Sequence, residues 1–198
     1  MEHIRIHMLG EFSLHADSAS VSDAGNRSKK VWSLLAFLIC NRDRTITQAK
    51  LINLLWGDEP DSDNPENALR ITLHRLRAQL DQLWPGAGRE LILRKSGGYT
   101  WNNAIDITLD CDQFETLCQT SVADEELRLK NLLDALSLYQ GEFLPRQAGE
   151  MWVVPVSTHF HNLNLQAALE AALRLRSGVG TVTVLTMGPA KLAEPLRE

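Results

Sequence analysis

Five leucines between residues 69 and 83 recur at alternating steps of four and three, which is the spacing of one face of an α-helix. They are Leu69, Leu73, Leu76, Leu80 and Leu83. The preceding Asn64 and Pro65 are a capping residue and a proline at the first helical position, and they mark the start of the helix. The sequence Trp84-Pro85-Gly86 marks its end. We therefore predict an amphipathic helix that buries these leucines in the core of a domain.

Two more helices are predicted on the N-terminal side. Residues 31–39 carry an apolar stripe of helical period. A shorter helix follows, with Thr47 as its cap and Gly57 at its end. Before both helices, apolar and polar residues alternate over residues 4–9, and Phe12 and Leu14 continue this pattern, which is typical of a half-buried strand. The chain thus begins with a strand region and three helices.

A β-hairpin is predicted directly after the third helix. Residues 90–95 and 99–102 have strand character, and they are joined at Ser96-Gly97-Gly98, a glycine turn suited to a hairpin. A strand region, three helices and a hairpin, in this order, indicate a winged helix-turn-helix. We assign residues 1–103 to this α+β domain.

The second half of the chain has a different character. An acidic linker is predicted over residues 106–115, followed by helical patterns at residues 127–139 and roughly 160–175. We assign residues 104–176 to an all-α helical-hairpin module and leave residues 177–198 as an unassigned tail. The predicted fold class is an α+β winged helix-turn-helix followed by an all-α, tetratricopeptide-like module.

Composition limits the class of protein. Hydrophobic residues make up 44% and charged residues 23%, as in ordinary globular domains. The longest apolar run, residues 31–40, falls short of the ~20 residues of a membrane span, and the first residues lack the order of a signal peptide. The cysteines Cys40, Cys111 and Cys118 lack the spacing of a disulfide framework or a zinc site. We expect a cytoplasmic protein without a membrane partner.

The charge is unevenly distributed along the chain. The formal net charge is −5, yet residues 1–103 hold 13 basic and 12 acidic residues, whereas residues 104–198 hold 7 and 13. Residues 70–99 contain six basic residues against two acidic ones. An acidic second half beside a basic patch would leave DNA one face to bind.

The third helix presents a candidate DNA-reading face opposite its leucines. The residues on that face are Asn67, Ile71, His74 and Arg75. In a major groove, Arg75 could bind guanine in bidentate fashion, Asn67 could pair with adenine, and Ile71 could touch a thymine methyl group. The flanks of the helix carry candidate phosphate contacts, namely Arg70, Thr72 and Arg77. The alternative interpretation is a solvated basic face, which is the commoner state of an isolated helix of this kind.

The hairpin adds a second candidate DNA contact. Arg94 and Lys95 stand beside the tight turn, where they could neutralise phosphates or enter a minor groove, and Gly98 allows close approach of the backbone. A plain hairpin is an equally good interpretation of the glycine turn by itself. The turn lacks the GK[ST] sequence of a nucleotide-binding loop.

These segments resemble known regulator families. Residues 69–77 followed by 95–99 resemble the recognition helix and wing of OmpR/PhoB-type regulators. Residues 110–115, residues 132–145 and Trp152 then resemble the bacterial transcriptional activator domain of SARP-type regulators. The sequence Leu55-Trp56-Gly57 also fits this family, and the resemblance covers about residues 4–176. Family members continue through further helical hairpins, whereas the match here fades after Arg176, so the helical module is expected to be incomplete.

The resemblance implies sequence-specific binding to double-stranded DNA at promoter repeats, usually as a homodimer, with contacts that recruit RNA polymerase. The acidic loop between the second and third helices is a candidate polymerase-facing element, and a solvated loop is an equally good interpretation. Its acidic residues are Asp58, Glu59, Asp61 and Asp63.

We find no catalytic, metal-binding or cofactor-binding pattern in the sequence. The carboxylates lie in loops rather than beside a glycine-lined cleft, and no nucleophile elbow is present. The resemblance and the candidate DNA-reading face together predict transcription activation by DNA binding. The alternative is a winged helix that has lost its DNA role and acts as a protein-interaction scaffold.

Overall fold

The computed structural model describes residues 3–17, 19–24, 28–57 and 64–178. The helices are α1 (Lys29–Cys40), α2 (Gln48–Trp56), α3 (Pro65–Leu80), α4 (Ala87–Leu91), α5 (Asp110–Gln119), α6 (Glu125–Leu138) and α7 (Val153–Arg176). The strands are β1 (His3–His7), β2 (Ser13–Ala16), β3 (Ala19–Ser22), β4 (Ile46–Thr47), β5 (Ile92–Lys95), β6 (Gly98–Trp101) and β7 (Asp106–Leu109). None of the helices in these ranges is long and apolar enough to cross a membrane.

The first sheet has the strand order β3-β2-β1-β7. Strands β1 and β2 are antiparallel, whereas β1 and β7 are parallel, with His3 opposite Asp106 and Ile6 opposite Leu109. The predicted acidic linker over residues 106–115 is therefore wrong, because this stretch forms β7 and the beginning of α5. Its partner strand lies about 100 residues away in the sequence, so the pairing leaves no local signal.

The three helices of the winged helix pack around the predicted leucines. Leu69, Leu73, Leu76 and Leu80 of α3 are at most 2% exposed. The local start signals are confirmed, since Thr47 Oγ1 accepts a hydrogen bond from the Lys50 N–H at 3.3 Å at the start of α2. The Asn64 side chain caps α3 in the same way. Residues of α1 from Val31 to Ile39 are all buried, so this helix forms the centre of the domain.

The second sheet has the order β4-β6-β5 and contains the predicted hairpin. Strands β5 and β6 pair with Lys95 opposite Gly98, which leaves Ser96 and Gly97 as a two-residue turn. Gly97 has a φ of +75°, a conformation that glycine adopts without strain. Two elements were not predicted: β4, which extends the sheet, and α4, which includes Glu90 and Leu91 of the predicted strand.

The helical module consists of α5, α6 and α7 packed against one another. Phe114, Leu132 and Phe160 form its buried centre. The Arg128 guanidinium joins α6 to α7 through Glu170, with an Nε to Oε1 distance of 2.8 Å, and this pairing holds the pKa of the Glu170 carboxyl below its usual value. The predicted fold class, a winged helix followed by a helical module, is confirmed.

A buried carboxylate connects the two parts of the chain. Asp110 is 3% exposed, and its oxygens accept hydrogen bonds from the backbone N–H groups of Met8 at 2.9 Å and Leu9 at 3.0 Å. The Cys111 N–H donates to it at 2.7 Å. Burial raises the pKa of the Asp110 carboxyl, while these donors act in the opposite direction. The start of the helical module is thus held against the end of β1.

A second connection lies between α6 and α7. The Gly10 N–H donates to the Glu142 carbonyl at 3.0 Å, and the Leu144 N–H donates to the Met8 carbonyl at 2.9 Å. Phe143 forms an antiparallel bridge with Leu9 between these bonds, and both side chains are buried. The predicted boundary at residues 103 and 104 falls between β6 and β7. We propose that the folding unit extends beyond it, because β7 completes the first sheet.

Substitution of Asp110 tests the importance of this junction. Asp110→Ala leaves two buried backbone N–H groups without their acceptor, so we expect a loss of about 3 kcal/mol in the free energy of unfolding. Asp112→Ala is the matched control, because its carboxylate is half-exposed and pairs with Arg42 at the surface, and it should cost less than about 1 kcal/mol. Urea unfolding followed by circular dichroism measures both. Equal losses for the two variants would contradict this role of Asp110.

Candidate nucleic-acid interface

Helix α3 presents most of the predicted DNA-reading face to solvent. The Asn64 side chain accepts a hydrogen bond from the Asn67 N–H at 2.9 Å, which fixes the first turn of the helix. Ile71 is 45% exposed although it is a large apolar residue, and His74 and Arg75 beside it are exposed. Ile71 is a single exposed apolar residue, so its exposure alone does not mark a binding surface.

The residues on one flank of α3 point towards the hairpin. Arg70 is exposed, and its guanidinium donates to the Asn67 Oδ1 atom at 2.6 Å. The half-buried Asn67 thus has its oxygen occupied and its amide nitrogen left for other partners. Both side chains line a surface cleft between α3 and the hairpin, which is also lined by Gln48, Arg94 and Tyr99. The cleft joins the helix face and the hairpin into one continuous surface.

Two predicted phosphate contacts are engaged inside the protein. Thr72 is 8% exposed, and its hydroxyl donates to the Ala68 carbonyl at 2.9 Å. Arg77 is half-buried, and its guanidinium donates to the Ile92 carbonyl at 2.9 Å, which ties α3 to β5. Both side chains therefore stabilise the domain, and they are not among the phosphate contacts proposed below.

The hairpin exposes its two cations and buries its glycine. Arg94 and Lys95 are exposed on β5, next to the turn. Gly98 is buried against β4, and a Cβ atom at this position would lie 2.2 Å from the Ile46 carbonyl oxygen. Gly98 therefore permits the close packing that positions the hairpin, rather than exposing backbone to a ligand.

The sequence analysis missed a pair of cations on the other flank of α3. Lys29 and Lys30 open α1, and both are exposed. The Lys30 ammonium lies 4.7 Å from the centroid of the Trp56 ring, and the two lysines share a surface cleft with Ile71 and Arg75. Cations are unfavourable at the positive end of a helix, and the first turn of α1 holds no acidic residue to offset them. This arrangement suits an external anion. Two lysines at the start of a predicted helix, with no acidic residue beside them, were the sequence feature that could have indicated this site.

The exposed cations of this surface are not neutralised within the described residues. The ion pairs among the described residues lie elsewhere in the molecule. None of them includes Lys29, Arg75, Arg94 or Lys95. Glu66 is the acidic residue that lines the same surface. The predicted polymerase contacts, Asp58, Glu59, Asp61 and Asp63, lie outside the described residues. In the described ranges, no group of three or more His, Cys, Asp or Glu side chains is placed to hold a metal ion.

Comparisons with known proteins show which regulators this chain is similar to. Residues 24–101 match the family described as "Transcriptional regulatory protein, C terminal". The chain is 27% identical over 180 residues to the regulatory protein AfsR of Streptomyces griseus, covering 84% of this chain and 17% of that protein. It is 30% identical over 146 residues to the regulatory protein AfsR of Streptomyces coelicolor, covering 71% of this chain and 14% of that protein. The matched relatives are transcription regulators, and the family match falls on the winged helix of this chain.

A solved structure supports the arrangement of the whole fold. Mycobacterium tuberculosis EmbR, in complex with a low-affinity phosphopeptide, superposes with a TM-score of 0.70 at 20% identity, covering 90% of this chain and 47% of that chain. The matches to AfsR and to the winged-helix family confirm the resemblance to SARP-type regulators, and the EmbR structure shares the fold. The chain spans less than a fifth of the length of the curated relatives it matches.

Substitution of Gly98 tests how the hairpin is held. Gly98→Ala places a methyl group against the Ile46 backbone, so we expect it to lower the free energy of unfolding by about 1–3 kcal/mol. Ser96→Ala, at the exposed turn two residues away, should stay within about 0.5 kcal/mol. Thermal denaturation of both variants measures the difference. A Gly98→Ala protein as stable as Ser96→Ala would show that the hairpin packs less closely on β4.

Proposed function

We propose that this chain is a sequence-specific DNA-binding regulator that places α3 in the major groove. The observation that carries the proposal is the position of the exposed face of α3, which lies between the α1 lysines on one side and the hairpin cations on the other. An α-helix fits the width of the major groove, and flanking cations can then reach the two phosphate backbones. The protein would act with DNA in the cytoplasm as a binding protein rather than an enzyme.

The exposed face of α3 supplies the groups that read bases. Arg75 is exposed and free of intramolecular ion pairs in the described residues, so its planar guanidinium can bind the two acceptors of guanine. Ile71 offers an apolar surface to a thymine methyl group, and its exposure in the free protein is then relieved on binding. Asn67 retains its amide nitrogen for a base or a phosphate.

The cations on both sides of that face supply phosphate contacts. Lys29 and Lys30 lie at the start of α1, and Arg94 and Lys95 lie at the hairpin, with Arg70 beside α3. Such contacts fix the register of the protein on DNA and make its affinity depend on salt. They carry no base preference of their own.

The wider assembly includes a second copy of the chain and RNA polymerase. Polymerase recruitment is proposed through the acidic segment with Asp58, Glu59, Asp61 and Asp63, which lies between α2 and α3 in the sequence. A homodimer would suit promoter repeats, because two-fold protein symmetry matches paired half-sites. The overall effect would be activation of transcription.

Single substitutions separate base reading from charge. Arg75→Ala should weaken binding to a selected duplex by about 1–3 kcal/mol and relax the preference at one base pair. Lys95→Ala and Lys30→Ala should weaken binding to every duplex similarly and reduce the log–log salt slope by about one unit each. The matched control is Lys130→Ala, because Lys130 is exposed on α6 outside this surface. Titrations of a selected and a scrambled duplex at several salt concentrations measure these effects.

The outcomes distinguish the proposal from its alternative. Equal loss of affinity for both duplexes in Arg75→Ala would contradict the base-reading role of that residue. If none of these substitutions changed binding, or if no salt-sensitive binding existed, the winged helix would serve as a protein-interaction scaffold instead.

The outer face of α7 offers a surface for the proposed homodimer. Leu165, Leu169 and Leu173 recur at helical spacing and are 55%, 64% and 47% exposed, while Ala167 and Ala171 on the opposite face are buried. A row of exposed leucines along one helix face is typical of a surface that packs against another molecule. A two-fold interface uses the same patch on each copy, so one such leucine row can pair with another.

A charge within this row tests its role in self-association. Leu169→Glu places a carboxylate in the centre of the proposed interface, and we expect it to shift a dimer to monomers because two buried charges would face each other. Gln113→Glu is the control, since Gln113 is exposed on α5 away from this row. Analytical ultracentrifugation reports the state of each protein. A monomeric wild-type chain, or a dimer in Leu169→Glu, would rule out this interface.

A further inference from the structure

A cavity of about 520 Å³ lies where the winged helix meets the helical module. Its walls come from α1 and the loop after it, from α2, and from β7, α5 and α7 of the second part of the chain. This volume is within the range of small-molecule sites, which are typically about 300–1,000 Å³. No residue of this cavity belongs to the proposed DNA-binding surface.

The inner wall of the cavity is aromatic and aliphatic. Phe37 and Trp152 are in edge-to-face contact, with ring centroids 5.3 Å apart, and Phe143 and Phe160 lie 5.4 Å apart. The packing of Phe143 and Phe160 in the buried core holds these rings in place. Rigid rings of this kind form a suitable contact surface for an aromatic or aliphatic body.

The rim of the cavity is cationic. The Lys50 ammonium lies 5.7 Å from the centroid of the Phe37 ring, and in the described residues it has no carboxylate partner. The Arg44 guanidinium donates to the neutral Asn41 side chain, with an Nε to Oδ1 distance of 3.0 Å. Arg42 is the rim cation that is neutralised, since it pairs with Asp112. The rim therefore keeps an excess of positive charge.

The remaining polar wall is uncharged at neutral pH. Cys40 lines the cavity with its side chain accessible to solvent, although protein surrounds it on most sides. That surrounding protein raises the pKa of the Cys40 thiol to about 12. The thiol therefore does not offset the charge of Lys50 and Arg44.

We propose that this cavity binds an amphipathic organic anion, with its apolar body against Phe37 and Trp152 and its carboxylate or sulfonate group at Lys50. Such a molecule contacts both parts of the chain at once. It also contacts α2, which holds the hairpin through a hydrogen bond from the Gln48 N–H to the Gly97 carbonyl at 3.3 Å. A bound molecule can therefore affect the proposed DNA-binding surface through α2, without contacting that surface itself. The binding itself does not depend on the proposed DNA role.

Fluorescence titration of the full chain with 8-anilinonaphthalene-1-sulfonate tests the proposal, and the uncharged N-phenyl-1-naphthylamine serves as the comparison probe. We expect saturable binding of the sulfonate at one site per chain. Val156→Trp fills the cavity and should weaken both probes at least ten-fold, whereas Val154→Trp, on the exposed side of the same helix, should leave binding unchanged. Melting temperatures of the variants show whether each is folded.

The charge of the rim is tested separately, with a variant that removes little buried surface. Lys50→Ala should weaken the sulfonate roughly five-fold and leave the uncharged probe unchanged, while Lys130→Ala affects neither. If Val156→Trp and Val154→Trp bound the sulfonate alike, the dye would lie elsewhere and the cavity would not be the site. If Lys50→Ala changed neither probe, or both equally, the preference for an anion would be wrong.

Discussion

The Asp110 carboxylate accepts backbone hydrogen bonds from Met8 and Leu9, and the rest of the structure is arranged around this contact. A strand end has unpaired N–H groups that must find acceptors when they are buried. Asp110 satisfies two of them, and in doing so it sets the position at which α5 leaves the sheet. The parallel pairing of β7 with β1 and the docking of residues 142–144 on residues 8–10 follow on either side. The winged helix and the helical module are thereby parts of one packed structure.

This arrangement decides which faces of the molecule remain free. The buried side of α1 and the first sheet are occupied by the protein core and the helical module, so α3 and the hairpin extend on the side that the second half of the chain does not cover. The cations there stay without internal carboxylate partners in the described residues. Glu170 and Glu125 of the second half pair with Arg174 of the same half, whereas Asp112 pairs with Arg42 of the first half. The excess of negative charge lies in residues 104–198, apart from the exposed cations of α1, α3 and the hairpin.

The sequence predicted those features whose signals are local. Helix α3 begins at Pro65 with Asn64 as its cap, and the hairpin turns at Gly97, because a few neighbouring residues determine each of these structures. Strand β7 was missed since its partner is β1, and acidic residues at its ends obscured the apolar pair Ile107 and Leu109. The face of α3 followed from its leucine period, whereas the burial of Thr72 and the inward bond of Arg77 depend on neighbouring elements. Lys29 and Lys30 were missed because the hydrophobic period of α1 does not show that two cations stand, without an acidic neighbour, at the positive end of that helix.

The parallel pairing of β1 with β7 has a consequence for how such chains can recombine. The helices and the hairpin of the winged helix lie in the sequence between β1 and β7, two strands that pair side by side. An exchange of this part between relatives must therefore replace the chain on both sides of the hairpin. A crossover placed immediately after β6 would unite a β1 from one parent with a β7 and an Asp110 from the other. Chimeras joined within the loop after α5 would keep β1, β7 and Asp110 from one parent, and residues 142–144, which dock on residues 8–10, would come from the other. Shuffled descendants of this architecture should therefore carry their breakpoints beyond residue 119 more often than at the end of the hairpin.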